Sequence, residues 1–199
     1  KDAPFNLLMP EIQKRGLQLY VKRVFITDEC KELVPEYLRF VCGVVDSSDL
    51  PLNVSREILQ ENPLLHRIEK GVVNKVLGEL KKLMESEPEA YAHFFREFGR
   101  VLKEGIHTDY ANAEKIKDLV MYESMNSEPG KLISLADYVN AMPESQKDIY
   151  YITGEKREAV ASSPALEYFR SKGYDVLFMT DPIDDWIMQQ MFQYRKKNF

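Results

Sequence analysis

Between Leu64 and Met84 the apolar residues Leu64, Ile68, Val72, Val76, Leu80 and Leu83 recur at helical spacing. That spacing predicts one long helix with a single stripe facing a core and charged residues facing out. Gly71 and Gly78 interrupt it on nearly the same side. They read either as tolerated glycines or as the place where another element approaches closely. Ser86, Pro88 and Glu89 then form a capping-box pattern that starts a second helix. Its apolar face is Tyr91, Phe94, Phe95, Phe98 and Leu102, and Gly105 is its predicted stop. A shorter helix is expected from Ala111 to Glu123.

On both sides of these helices the pattern turns to strands. Leu17 to Ile26 is rich in β-branched and aromatic residues and reads as one strand. After a helical turn over Cys30–Leu38, the run Phe40–Val45 predicts a second strand, buried on both faces and stopped by Asp46-Ser47-Ser48-Asp49. Past the polar stretch Ser124–Gly130, the best linker candidate, helices at Ser134–Met142, Pro164–Lys172 and Asp184–Phe192 alternate with strands at Asp148–Thr153 and Tyr174–Met179. Such alternation implies a small parallel or mixed sheet covered by helices. The expected class is α/β: two α-β-α sandwich units, residues 1–62 and 127–199, joined by a helical connector over 63–126.

Composition narrows the function. With 199 residues, 44% hydrophobic, the chain can bury a real core. Its net charge of -5, from 27 basic and 32 acidic residues mixed along the sequence, argues against a nucleic-acid surface. No apolar run reaches the roughly 18 residues of a membrane span. Cys30 and Cys42 lie in apolar segments and suggest buried thiols in a reducing, cytoplasmic compartment. His66, His93 and His107 are scattered without partners at ligand spacing, so no metal site is expected. A start without methionine and an abrupt end at Phe199 suggest a piece of a longer protein.

No phosphate loop, dinucleotide fingerprint or nucleophile elbow occurs, so a complete active site is hard to assemble. The unusual stretch is Asp46 to Gln60, a loop following a strand and leading towards a helix. Ligands of α/β proteins gather at such strand ends. Arg56 and Gln60 stand four apart, so a helical turn from Ser55 projects a guanidinium and an amide on one side, and Asn53 can join them. An arginine there can offset charge on a transferring phosphoryl group. The competing reading is a surface Arg56 paired with Glu57 or Asp49.

Leu19-Tyr20-Val21-Lys22-Arg23-Val24-Phe25-Ile26-Thr27-Asp28, the segment Gly43 to Gln60, and Asp148-Ile149-Tyr150-Tyr151-Ile152-Thr153-Gly154 closely resemble the middle domain of heat-shock protein 90 chaperones, most of all its bacterial branch. The resemblance covers Ala3 to about Phe192. It implies a parent with an amino-terminal ATPase domain and a carboxyl-terminal dimerisation domain, both outside this chain. ATP with Mg2+ would be bound mainly by the former, and this segment alone would be inactive. By the same resemblance Arg56 contacts the ATP γ-phosphate, while Gln60 and Asn53 support the catalytic loop. Glu69, Met121 and Ala141 stand where relatives often carry basic residues, which leaves open any inter-domain or partner contact made there.

The segment Ile183 to Phe192 is a second candidate. It carries the only tryptophan, Trp186, with Met188 and Phe192, and suits a promiscuous apolar surface. Relatives hold partly folded client proteins in this neighbourhood, and co-chaperones are further possible partners. Alternatively Trp186 and Ile187 simply complete the small core.

Overall fold

The computed structural model describes residues 16–28, 30–51 and 62–199. Two compact units divide the chain, Lys1–Lys82 and Leu83–Phe199. Both mix strands and helices, so the class is α/β as expected.

In the first unit, Leu17–Ile26 is not one strand. It folds as a hairpin, β1 (Leu17–Val21) and β2 (Val24–Thr27), turning at Lys22-Arg23. Both turn residues have positive φ, 50° and 67°, the backbone that a two-residue hairpin turn demands. Lacking the usual Asn-Gly signature, the turn is invisible to pattern reading. It is held from outside instead: the Lys22 amide donates to the Ser47 carbonyl at 3.1 Å, and the Arg23 amide to Asp46 Oδ1 at 3.2 Å.

Ser47 and Asp46 belong to β3 (Gly43–Ser47), which runs parallel to β1 in the sheet order β2-β1-β3. Leu17, Leu19 and Val21 of the central strand are buried, with Leu33, Val34, Tyr37 and Leu38 from two short 3-10 turns. The expectation that β3 is buried on both faces fails, because it is paired on one side only among the described residues and Val44 is 63% exposed. Cys30 is buried and free, but Cys42 is exposed, against the expectation for both. Burial, reinforced by the charge of Glu32, pushes the Cys30 thiol up to about 12, so it is inert.

The long helix is present as α1 (Pro63–Ser86), turned by one residue from the predicted stripe. Leu65, Val73, Leu77 and Leu80 are buried, while Leu64, Ile68, Val72 and Val76 are half-buried beside them. One residue is about 100° of rotation, so a stripe read from apolar identity alone can be misplaced by its own width. Among the described residues no heavy atom comes within 4 Å of a Cβ built on Gly71 or Gly78, so no close approach uses them.

In the second unit the capping box expected at Ser86 does not form. Ser86 is the last residue of α1, and α2 (Pro88–Thr108) begins with Glu87 as its N-cap and Pro88 in its first turn. Nor does Gly105 stop it: the residue is buried within the helix, and its carbonyl accepts from the Asp109 amide one turn later. The expected Ala111–Glu123 helix is α3 (Ala113–Lys117) followed by strand β4 (Met121–Ser124). Glu123 pairs there with Arg157, and the Tyr91 hydroxyl of α2 donates to the Leu119 carbonyl just before the strand.

Ser124–Gly130 is the loop of a hairpin from β4 to β5 (Ile133–Ser134). The rest of the unit comprises α4 (Leu135–Ala141), β6 (Tyr151–Thr153), α5 (Arg157–Ala161), α6 (Leu166–Lys172), β7 (Leu177–Met179), α7 (Pro182–Ile187) and the hairpin β8 (Gln193–Tyr194) and β9 (Lys197–Asn198). The sheet is mixed, in the order β5-β4-β7-β6, with β6 and β7 parallel and β4 antiparallel to both its neighbours. All three residues of β7 are buried, as a strand between two others and covered on both faces must be. Ser134 and Asp137 form a reciprocal capping box on α4. Gly173, at φ 68°, ends α6 in the left-handed cap that glycine adopts without penalty.

Candidate functional site

Arg56, Gln60 and Asn53 lie outside the described residues. What the structure places is the stretch of chain that precedes them. β3 ends at Ser47, whose carbonyl accepts from the Lys22 amide and whose hydroxyl accepts from the Asp49 amide at 3.4 Å. Leu50 is buried, so the chain is anchored up to Pro51. The tip of the β1–β2 hairpin and the exit of β3 are therefore one hydrogen-bonded assembly.

The second candidate is built around α7. Asp181 and Asp184 make a reciprocal capping box with Pro182 in the first turn, so the helix starts two residues before the predicted Asp184. An Asp-Pro-x-Asp pattern was visible in the sequence and is the signal that locates it. The helix ends at Ile187, well short of Phe192. Trp186 is therefore on the helix, Met188 is its C-cap, and Phe192 lies in the connection to β8, where its carbonyl accepts from the Phe199 amide.

Their exposures differ. Ile187 is buried, Trp186 and Met188 are half-buried, and Phe192 is 69% exposed. The Trp186 ring lies over His107 from the last turn of α2, with centroids 3.9 Å apart. His107 had no sequence signal for this role, since the contact joins residues far apart in the chain. Trp186 thus serves neither the core alone nor solvent alone; it is a ring fixed on one side and open on the other.

Under α7 lies a buried ion pair that sequence reading also missed. Lys103 Nζ meets Asp184 Oδ1 at 2.6 Å, with residue exposures of 4% and 1%. The ammonium stands 4.5 Å above the Tyr122 ring. Burial raises the Asp184 carboxyl above its usual range against the pull of Lys103, so desolvation wins at this site.

Among the described residues no helix is long and apolar enough to cross a membrane. Over residues 1–199 the chain matches the family model described as Hsp90 protein. It is 57% identical over 194 residues to the chaperone protein HtpG of Geobacter sulfurreducens, covering 98% of this chain and 30% of that protein. Against the HtpG of Nocardia farcinica the identity is 52% over 199 residues, covering 100% of this chain and 30% of the relative. The solved middle domain of a Plasmodium falciparum heat shock protein matches with a TM-score of 0.85 and 35% identity, over 99% of this chain and 76% of that one. The chain thus spans about 30% of the length of the curated relatives it matches. Two motifs meeting at one strand end, a mixed α/β fold like that of the solved domain, and a family match over the whole chain lead to one conclusion: this chain belongs to the Hsp90 family and has the fold of its middle domain.

Proposed function

We propose that the chain works as the middle segment of an ATP-driven chaperone, supplying Arg56 to the γ-phosphate of a nucleotide bound by another domain of the same polypeptide. The observation that supports this most is the anchored exit of β3, from which the Asp46–Gln60 motif departs. Arg56, Gln60 and Asn53 carry donor groups, and that chemistry fits phosphate oxygens. ATP with Mg2+ supplies the phosphoryl group, held by the amino-terminal domain. Gln60 and Asn53 support the loop, and Arg56 brings a fixed positive charge to it. The parent works in the cytoplasm as a homodimer, joined through its carboxyl-terminal domain.

Arg56→Ala in the full-length polypeptide tests this. ATP turnover is expected to fall about 10³-fold, or about 4 kcal/mol of activation free energy, with nucleotide affinity unchanged because the adenosine contacts lie elsewhere. Unchanged turnover overturns the role. The 199-residue chain alone is expected neither to hydrolyse ATP nor to bind it tightly.

A second reading concerns partners: Trp186, Met188 and Phe192 form a surface for partly folded client proteins or co-chaperones. It is favoured by the exposed Phe192 and by a Trp186 ring held in place by His107. Binding of a reduced, unfolded protein to the 199-residue chain should be lost on Trp186→Ala and indifferent to Arg56→Ala. The opposite pattern refutes it.

A further inference from the structure

The only tryptophan of the chain, Trp186 on α7, lies against His107 in the last turn of α2, with ring centroids 3.9 Å apart and planes tilted by 37°. Both residues are half-buried. The Nδ1 atom of His107 is shielded from solvent and has no hydrogen-bond partner among the described residues. A neutral imidazole carries one N–H and can leave Nδ1 bare, whereas the charged ring carries an N–H on each nitrogen. Protonation therefore puts a charged donor on Nδ1, where nothing accepts it.

Two effects favour a charged ring here and one opposes it. A cation over an indole is attracted to it, and the helix dipole favours a cation in the last turn of α2. The dipole acts whether the imidazole is on or off Trp186, so it does not decide the contact. Against the cation–π attraction stands the cost of a buried charged donor without an acceptor, which is the larger. Neighbouring charges do not offset it. Lys103, one turn back on α2, pairs with Asp184 and Arg100 with Asp181, while on α3 Lys117 pairs with Glu114 and Asp118 with Arg195. Asp109 accepts from the Asn112 amide and side chain. Glu104 and Asp185 are the other charged groups on the adjoining turns, and no ion pair joins any of these to His107 among the described residues.

We propose that the contact between His107 and Trp186 is a proton-operated latch: the neutral imidazole holds the indole, and protonation of His107 breaks the contact and opens Trp186 to solvent. Once off the indole, both N–H groups of the charged ring reach water, and the favourable position at the helix end is kept. Histidine is the side chain that ordinarily changes charge between about pH 5 and 8, so mild acid is enough to work it. The latch acts on the ring that the client reading uses, yet it is measured on that ring without a client, so the two readings can fail separately.

Because Trp186 is the single tryptophan, the fluorescence of the 199-residue chain reports this ring alone. Between about pH 8 and pH 6, acrylamide quenching should rise about twofold and the emission maximum should move to the red. His107→Phe keeps an aromatic ring against the indole but has no proton to take up, so its quenching should stay low and flat. His107→Ala should be quenched strongly at both pH values. On the parent chain the ring C–H resonances of His107 follow its proton directly, and their midpoint should coincide with that of the quenching. This comparison needs no variant to fold. Quenching that is unchanged or falls on acidification overturns the proposal, as do midpoints that disagree. A rise that persists in His107→Phe overturns it too, since it would belong to another group such as Asp184, which that variant retains.

Discussion

Lys103 and Asp184, 81 residues apart in sequence, meet at 2.6 Å inside the second unit and tie α2 to α7. Each is useful only while the other is present. Lys103→Met or Asp184→Leu alone strands a charge in the interior and should destabilise the chain by about 3–5 kcal/mol. The double variant replaces the pair with apolar groups and should recover most of that loss. Urea denaturation of the four chains checks it, and additive single losses would contradict it.

The pH dependence at this pair has a definite sign. Burial raises the folded-state pKa of Asp184 above its unfolded value, so the folded chain holds the proton more tightly. Its contribution is greatest below the unfolded carboxylate range and is lost as pH rises through the folded pKa. The stability of the parent relative to Asp184→Asn should therefore decline as pH rises from about 4. Paired thermal melts across pH give the slope, and a rising difference would reverse the assignment.

Tyr138 anchors the other side of the second sheet. Its hydroxyl donates to the Asp175 carbonyl at 2.6 Å and accepts from Gln146 Nε2 at 2.9 Å and from the Tyr150 amide at 3.1 Å. Burial pushes this phenol up to about 12. Tyr138→Phe keeps the shape and orphans these groups, so a loss of about 2–3 kcal/mol is expected by chemical denaturation. A loss below about 0.5 kcal/mol would mean that water replaces the hydroxyl.

The Lys22-Arg23 turn holds two ordinary residues at positive φ. Replacing them with Asn-Gly fits the same backbone without that strain and should stabilise the chain by about 1 kcal/mol. Hydrogen exchange at the Lys22 position and at residue 23, whose amides reach Ser47 and Asp46, should slow in step. Faster exchange there would show that the long side chains themselves hold the turn.

Local chemistry was legible in the sequence wherever a signal lies within a few residues. The long helix found at Pro63–Ser86, the helix capped at Ser134, and the strand ending at Met179 came from periodicity and turn residues alone. So did the family, because the contiguous run from Gly43 to Gln60 is specific by itself. Where the sequence misled, a long-range contact had overruled a local preference. The hairpin at Lys22-Arg23 depends on acceptors more than twenty residues away, and Met121–Ser124 is a strand because Ile133–Ser134 and Leu177–Phe178 pair with it.

Sequence alone determined which residues carry donors, charges and apolar bulk, and hence the family and the class of fold. Only the tertiary structure decided that Lys103 is an interior cation, that Trp186 rests on His107, and that the Tyr122 hydroxyl has no hydrogen-bond partner among the described residues. The physical reason is that burial and pairing are properties of distance in space. A charged residue on a helix reads as solvated until a distant carboxylate is folded against it.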